Sequence, residues 1–258
     1  LTNLTLNSVL GGNDQVDVTG AFTFNAGQLR GSNQAQAIGS LSFLTSAQKQ
    51  IRDNRQLVNR ANGLWLDGDI TFFESSSFRN ASGAVFDIKT DRDLNASSIS
   101  NSGTMQKTAT GSNQLDDPTV LTGNLENNGL ITVTEGTLQF SGNRSGNGQY
   151  TGNSGTMLHF ASGNQTLAGG AAVDTLGFAR YSGGTTVFNS GSLLGADELQ
   201  IAGGTVQINQ GSTFKSSTRV NLISGSLQGE SNLTSTRILS WTGGEMRGLG
   251  NTIAVAEG

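Results

Sequence analysis

The stretch Leu199-Gln200-Ile201-Ala202-Gly203-Gly204-Thr205-Val206-Gln207-Ile208 decides how the chain folds. Apolar side chains alternate, a Gly-Gly pair interrupts, and alternation resumes. A period of two puts Leu199 and Ile201 on one face of a strand, and Val206 and Ile208 on one face of the next. Glycines between them suit a tight corner. The same template recurs along the chain. Ala179, Tyr181, Gly183, Gly184, Thr186 and Phe188 carry it 20 positions earlier, and Leu239, Trp241, Gly243, Gly244 and Met246 carry it 40 positions later. Ile131, Val133, Gly136, Leu138 and Phe140 repeat it 68 positions earlier. Phe22, Phe24, Gly27 and Leu29 repeat it near the start, and Trp65, Gly68, Ile70 and Phe72 more loosely.

A repeat of roughly 20 residues is one unit that cannot bury its apolar face alone, so stacked neighbours must supply the core. No helical pattern separates the strands. The sequence therefore predicts an all-β fold, a right-handed parallel β-helix over residues 1–258. Coils stacked ~4.8 Å apart give about 10–13 turns and a rod ~50–60 Å long. The rival, a sandwich or barrel of hairpins, calls for primed two-residue turns. Asn-Gly occurs only at Asn62-Gly63, Asn128-Gly129 and Asn147-Gly148.

Composition fits the solenoid. The 258 residues include 37 Gly, one Pro, no Cys and one His, with 34% hydrophobic and 13% charged residues. A narrow core explains the low apolar share. Outward Thr, Ser, Asn and Gln form ladders between coils without charge repulsion. The lone proline, Pro118, fits strands paired on both edges, which cannot spare an N–H. A disulfide framework is excluded, and one His without Cys argues against a His/Cys metal centre. The net charge of −4 offers no basic field for nucleic acid or anionic lipid. No stretch approaches the ~18 apolar residues of a membrane-spanning helix, so no membrane insertion is expected.

A longer repeat overlies the short one. Residues 220–250 resemble residues 3–33 at a constant shift of 217. Phe24-Asn25-Ala26-Gly27-Gln28-Leu29-Arg30-Gly31 aligns with Trp241-Thr242-Gly243-Gly244-Glu245-Met246-Arg247-Gly248. The same shift pairs Leu6 with Ile223, Leu10 with Leu227, Gly12 with Gly229, Val16 with Leu233 and Phe22 with Leu239. This suggests a tandem module of about 217 residues. Residues 35–62 break the pattern and read as a decorated coil or loop in which Ile51 to Asn62 forms a strand pair. Their basic cluster of Lys49, Arg52, Arg55 and Arg60 is either a solvated face neutralised by Asp53 or a contact for an acidic glycan.

Candidate chemistry is sparse. Asp87, Asp91 and Asp93 cluster around Lys89 and Arg92, and Asp67/Asp69 and Asp116-Asp117 are similar oxygen-rich turns. Ca²⁺ wants six or more oxygens, and the interleaved cations oppose it. A glycosidase needs two carboxylates ~5–10 Å apart. The candidates are Asp67 with Asp87 or Asp91, and Asp174 with Asp197-Glu198. A lyase would pair a base with metal-holding acids, a role the Asp87/Lys89/Asp91 group could fill. His159, between Leu158 and Phe160, reads as an outward rung residue. No catalytic set, cofactor site or metal site is predicted, and the chain is not expected to be an enzyme.

Three segments carry a family resemblance: Asn128-Gly129-Leu130-Ile131-Thr132-Val133 leading to Gly136-Thr137-Leu138-Gln139-Phe140-Ser141-Gly142, then Ser240-Trp241-Thr242-Gly243-Gly244, and Phe78-Arg79-Asn80-Ala81-Ser82-Gly83-Ala84-Val85-Phe86-Asp87-Ile88. They resemble the β-helical repeats of large secreted bacterial surface proteins, the autotransporter passengers and filamentous-haemagglutinin-like adhesins. The resemblance implies an extracellular stalk or fibre used in adhesion or biofilm matrix. It implies partners that are further copies or tandem modules end to end, with surface glycans as further candidates. The chain starts at Leu1 without a recognisable signal peptide or membrane barrel, so it reads as a processed segment or repeat unit.

Overall fold

The computed structural model describes residues 1–110 and 117–255. Among the described residues there is no helix, and every strand pairs in parallel with its counterpart one coil away. The chain is a β-solenoid of about 12 turns. Each coil contributes a strand to each of three faces. The first face starts with Leu4–Leu6, Ala21–Phe24, Ser40–Phe43 and Asn62–Trp65, with Leu4 opposite Phe22, Phe22 opposite Leu41, and Leu41 opposite Gly63. The second starts with Val9–Leu10, Gly27–Arg30, Lys49–Arg52 and Ile70–Phe72. The third starts with Val16–Val18, Gln34–Ala37, Gln56–Asn59 and Ser77–Asn80. The highest strands lie at Thr252–Ala254 on the first face, 238–241 on the second and Glu245–Gly248 on the third.

Period-two burial builds the core. Phe22, Phe24, Phe43, Trp65 and Phe86 point inward from the first face and are fully buried. Phe140, Phe160 and Tyr181 stack rung on rung along the second, with ring centroids 5.4 and 4.8 Å apart. The inward template residues Val133, Phe140 and Ile201 are buried too, but Trp241, at the same kind of position, is 58% exposed.

The single template seen in sequence occupies two different corners. Phe22/Phe24/Gly27, Trp65/Gly68 and Val133/Gly136/Phe140 turn from the first face to the second. Tyr181/Gly183/Gly184, Ile201/Gly203/Gly204 and Trp241/Gly243/Gly244 turn from the second to the third. The reason the glycines recur is steric. At Gly184, φ is 69° and an added Cβ would lie 1.8 Å from the carbonyl oxygen of Gly163 one coil below.

Residues 35–62 form strands in ordinary register: Gln34–Ala37, Ser40–Phe43, Lys49–Arg52 and Gln56–Asn59. The corner between the last two is made by Asp53 and Asn54, at φ 62° and 66°, in place of glycine. Asp and Asn tolerate that region better than other side chains.

The core is not wholly apolar. Asn59, Asn80, Asn101 and Asn127 end successive third-face strands and point inward, fully buried. Asn59 Nδ2 donates to Asn80 Oδ1 at 2.9 Å, Asn80 Nδ2 to Asn101 Oδ1 at 2.8 Å, and Asn101 Nδ2 to Asn127 Oδ1 at 2.9 Å. Each amide also donates to a backbone carbonyl of the following strand, from Val85 to Gln149. This ladder fastens the third-face strands to the turn that leads back to the first face. It starts at Asn59 because the rung below carries Ala37.

Candidate functional site

Part of the charged cluster singled out in the sequence lines one open cleft of about 370 Å³, formed by Leu66, Asp67, Lys89, Thr90, Asp91, Arg92 and Asp117, whereas Asp69, Asp87 and Asp93 are not in its lining. Asp116 lies outside the described residues. The cleft sits where the turns after three first-face strands stack, Asn62–Trp65, Val85–Ile88 and Thr104–Lys107. Its charges are locally matched. Arg92 Nε meets Asp67 Oδ1 at 3.0 Å, and this hydrogen bond holds the Asp67 carboxyl below its ordinary pKa. Lys89 lies 3.6 Å from Asp87, and Asp87 also accepts a 2.5 Å hydrogen bond from Thr108 Oγ1. Asp69 and Asp93 stack on the second-face side, where Asp69 Oδ1 accepts from the Asp93 N–H and Asp93 Oδ1 from the Val120 N–H. Burial, then the neighbouring Asp69 and Asp117, push Asp93 up in pKa against the lowering effect of Val120.

Behind the cleft lies a cation that sequence reading passed over. Lys107 is fully buried at the inward end of its strand. Its Nζ donates to Thr90 O at 2.7 Å, Asp91 Oδ1 at 2.8 Å, Thr119 Oγ1 at 2.9 Å and Ala109 O at 3.2 Å. Burial lowers its pKa, and the Asp91 carboxylate opposes that. Pro118 directly precedes strand 119–122, a place where no ladder N–H is needed.

The basic cluster divides between inside and outside. Lys49 and Arg55 are buried, so neither is presented to a surface ligand. Lys49 Nζ donates to the carbonyls of Thr45 and Asp67, and burial lowers its pKa to about 8. Arg55 clamps the lowest coils through the carbonyls of Gly12, Asp14, Arg30 and Gln34. Arg52 stays outside over the Phe73 ring, 4.3 Å from its centroid, and pairs with Glu74 at 3.3 Å. Arg60 is exposed and donates to Gln36. The inward cations answer corner carbonyls that no strand partner reaches, a demand that alternation does not reveal.

The second carboxylate group also consists of paired side chains. Asp174 pairs with Lys215, Asp197 accepts from Thr218, and Glu198 accepts from Gln200 and Asn221 with Arg219 at 3.6 Å. His159 Nε2 lies 2.7 Å from Ser182 Oγ. Burial and, secondarily, Arg180 lower its pKa to about 4. Among the described residues, no group of three or more His, Cys, Asp or Glu side chains could hold a metal ion. No helix among them is long and apolar enough to cross a membrane.

Among the described residues, Leu4, Leu10 and Val16 in the first coil and Phe214, Leu239 and Met246 in the last coils are only partly buried against the core. Trp241 Nε1 reaches Gly244 O at 3.3 Å while the indole stays open. At the corresponding inward position in the body of the rod, Trp65 makes the same corner bond at 2.8 Å to Gly68 O and is fully covered.

These features define a parallel β-solenoid. No family model, curated protein or solved structure matches the chain.

Proposed function

We propose that this chain is a structural and adhesive segment of an extracellular rod at the bacterial surface or in biofilm matrix, assembling head to tail into filaments. The observation that carries the reading is the solenoid itself, about 12 coils joined rung on rung by parallel strand pairing, with a core that each coil completes only against its neighbours. Strand edges of such a stack are surfaces on which like strands add, and end-to-end addition is heterologous, so it propagates. The pairing of the candidate carboxylates with neighbouring cations and hydroxyls supports a structural rather than a catalytic role. Location outside the cell rests on the resemblance of the repeats to secreted surface proteins. Electron microscopy and light scattering over a concentration series test the reading. Filaments that lengthen with concentration support it, and only stable monomers overturn it.

A polysaccharide-binding or polysaccharide-cleaving reading has one observation in its favour, the cleft where Lys89 and Arg92 stand beside Asp67, Asp91 and Asp117. Incubation with polyuronides tests it: retention or cleavage that Arg92→Ala abolishes supports it, and neither retention nor cleavage removes it.

A further inference from the structure

We infer that the second face carries a binding site for an acidic sugar residue, with Phe178 as the platform for the sugar ring and Arg180 as the partner of its carboxylate. The inference rests on the adhesive part of the reading above and gives it a ligand class and a place.

Outward side chains of the second face form a polar ladder. Gln139, His159, Arg180, Gln200 and Asn221 lie opposite one another on five successive rungs, all half-buried. Four of them are partnered. Gln139 Nε2 donates to Ser141 Oγ at 3.4 Å, and His159 Nε2 lies 2.7 Å from Ser182 Oγ. Gln200 and Asn221 donate to Glu198 Oε1 at 2.7 and 2.8 Å. Arg180 differs. Among the described residues it has no ion pair and no hydrogen bond, and its Nε is buried without a partner. Glu198, diagonal to it one rung above, is already held by Gln200, Asn221 and Arg219. A guanidinium presents a planar fork of donors that matches a carboxylate. A half-buried one without an anion gains most from a ligand that brings one.

An apolar surface adjoins this cation. Phe178 and Arg180 point outward from one strand, two residues apart, or ~6.6 Å, about the breadth of one sugar ring. Phe140, Phe160 and Tyr181 stack inside the core, whereas Phe178 faces out and is half-buried. Met157, opposite Phe178 one rung below, extends the apolar surface. Leu176, two residues before Phe178, is 71% exposed on the rim of a cleft of about 230 Å³ in which Asp174 and Lys215 pair with each other. A uronic acid answers this arrangement: its ring lies on Phe178, its carboxylate meets Arg180, and a hydroxyl donates to Gln200 Oε1. A neutral glycan lacks the charge, and an acidic peptide lacks the ring. Rungs cover the site on both sides, Thr137–Ser141 below and Ser217–Gly229 above, so it belongs to the body of the rod.

The test titrates trigalacturonate, its methyl-esterified form and tetraglutamate into the whole 258-residue chain by calorimetry at pH 7. Light scattering of the same samples reports assembly. Trigalacturonate should bind, with the ester and the peptide each ~10-fold weaker or more. Arg180→Gln should weaken trigalacturonate binding about 10- to 100-fold, and Phe178→Ala about 3- to 10-fold. Arg92→Ala, in the other cleft, should change nothing. The comparison of acid with ester uses wild type alone, so it holds whether or not a variant folds. No binding of trigalacturonate, undiminished binding by Arg180→Gln, or equal binding of tetraglutamate overturns the site. A loss confined to Arg92→Ala overturns it too and places the glycan in the other cleft. Filaments without trigalacturonate binding overturn this inference and leave the rod standing. Binding by a chain that stays monomeric supports the site and overturns head-to-tail assembly.

Discussion

Replacing Asn80 by alanine removes the middle of the internal asparagine ladder. The Asn80 amide is fully buried and makes three hydrogen bonds: two donated, to Asn101 Oδ1 at 2.8 Å and Thr104 O at 2.9 Å, and one accepted from Asn59 Nδ2 at 2.9 Å. At about 1 kcal/mol net each, their loss costs ~3 kcal/mol. Asn59 Nδ2 keeps the carbonyls of Ala61 and Val85, whereas Asn101 Oδ1 loses a donor in a dry interior. The small cavity adds to that, and the total is about 3–4 kcal/mol. The assay is urea unfolding followed by Trp65, which is buried on the adjoining first-face strand, in a Trp241→Phe background that silences the other indole. In a stack of coupled rungs, a probe this near reports the coils that the ladder joins. Asn124→Ala, on the outward side of its strand, is the control and should stay within ~0.5 kcal/mol. An Asn80→Ala loss below ~1 kcal/mol, no larger than the control, refutes the view that the ladder stabilises the fold.

Three further outcomes follow from the structure. Gly184→Ala forces a Cβ to 1.8 Å from Gly163 O at φ 69° and should cost more than ~3 kcal/mol. Gly155→Ala, at φ 77° but with nothing within 4 Å, should cost about 1 kcal/mol, and thermal melts compare the two. Lys49 has a pKa of about 8 in the fold against an ordinary 10.5, so between those values the unfolded chain binds more protons and stability rises with pH. Chemical denaturation at pH 8 and 10.5 should show a gain of roughly 2–3 kcal/mol for wild type relative to Lys49→Met. His159, at about 4 against 6.5, should stay neutral down to about pH 5 by NMR titration, and its contribution to stability should fall as pH drops from 6.5 through 4.

The strands were legible because alternation and corner glycine are local signals. Phe24, Trp65, Val133 and Ile201 stand inward where a period of two places them, and the glycines beside them turn corners. Which corner each template copy occupies was not legible. The backbone meets the same steric demand at more than one corner, and phase depends on coil length, which runs from 18 residues between Leu6 and Phe24 to 27 between Leu94 and Leu121. The asparagine ladder left a faint signal, a spacing of 21 from Asn59 to Asn80 and again to Asn101. It is hidden among 24 asparagines, most of them on the surface side. Lys49 and Arg55 misled, and Lys107 went unread, for a related reason: charge in a repeat sequence reads as surface, yet these side chains turn inward to answer carbonyls.

The sequence by itself determined the parallel stacking of like on like and the character of the core, because both follow from a short repeat that cannot bury its face alone. The tertiary structure decided which cations lie inside, how the carboxylates pair, and which corner each copy of the template turns. Those outcomes depend on the accumulated length of every intervening coil, a sum over the whole chain that no local pattern records.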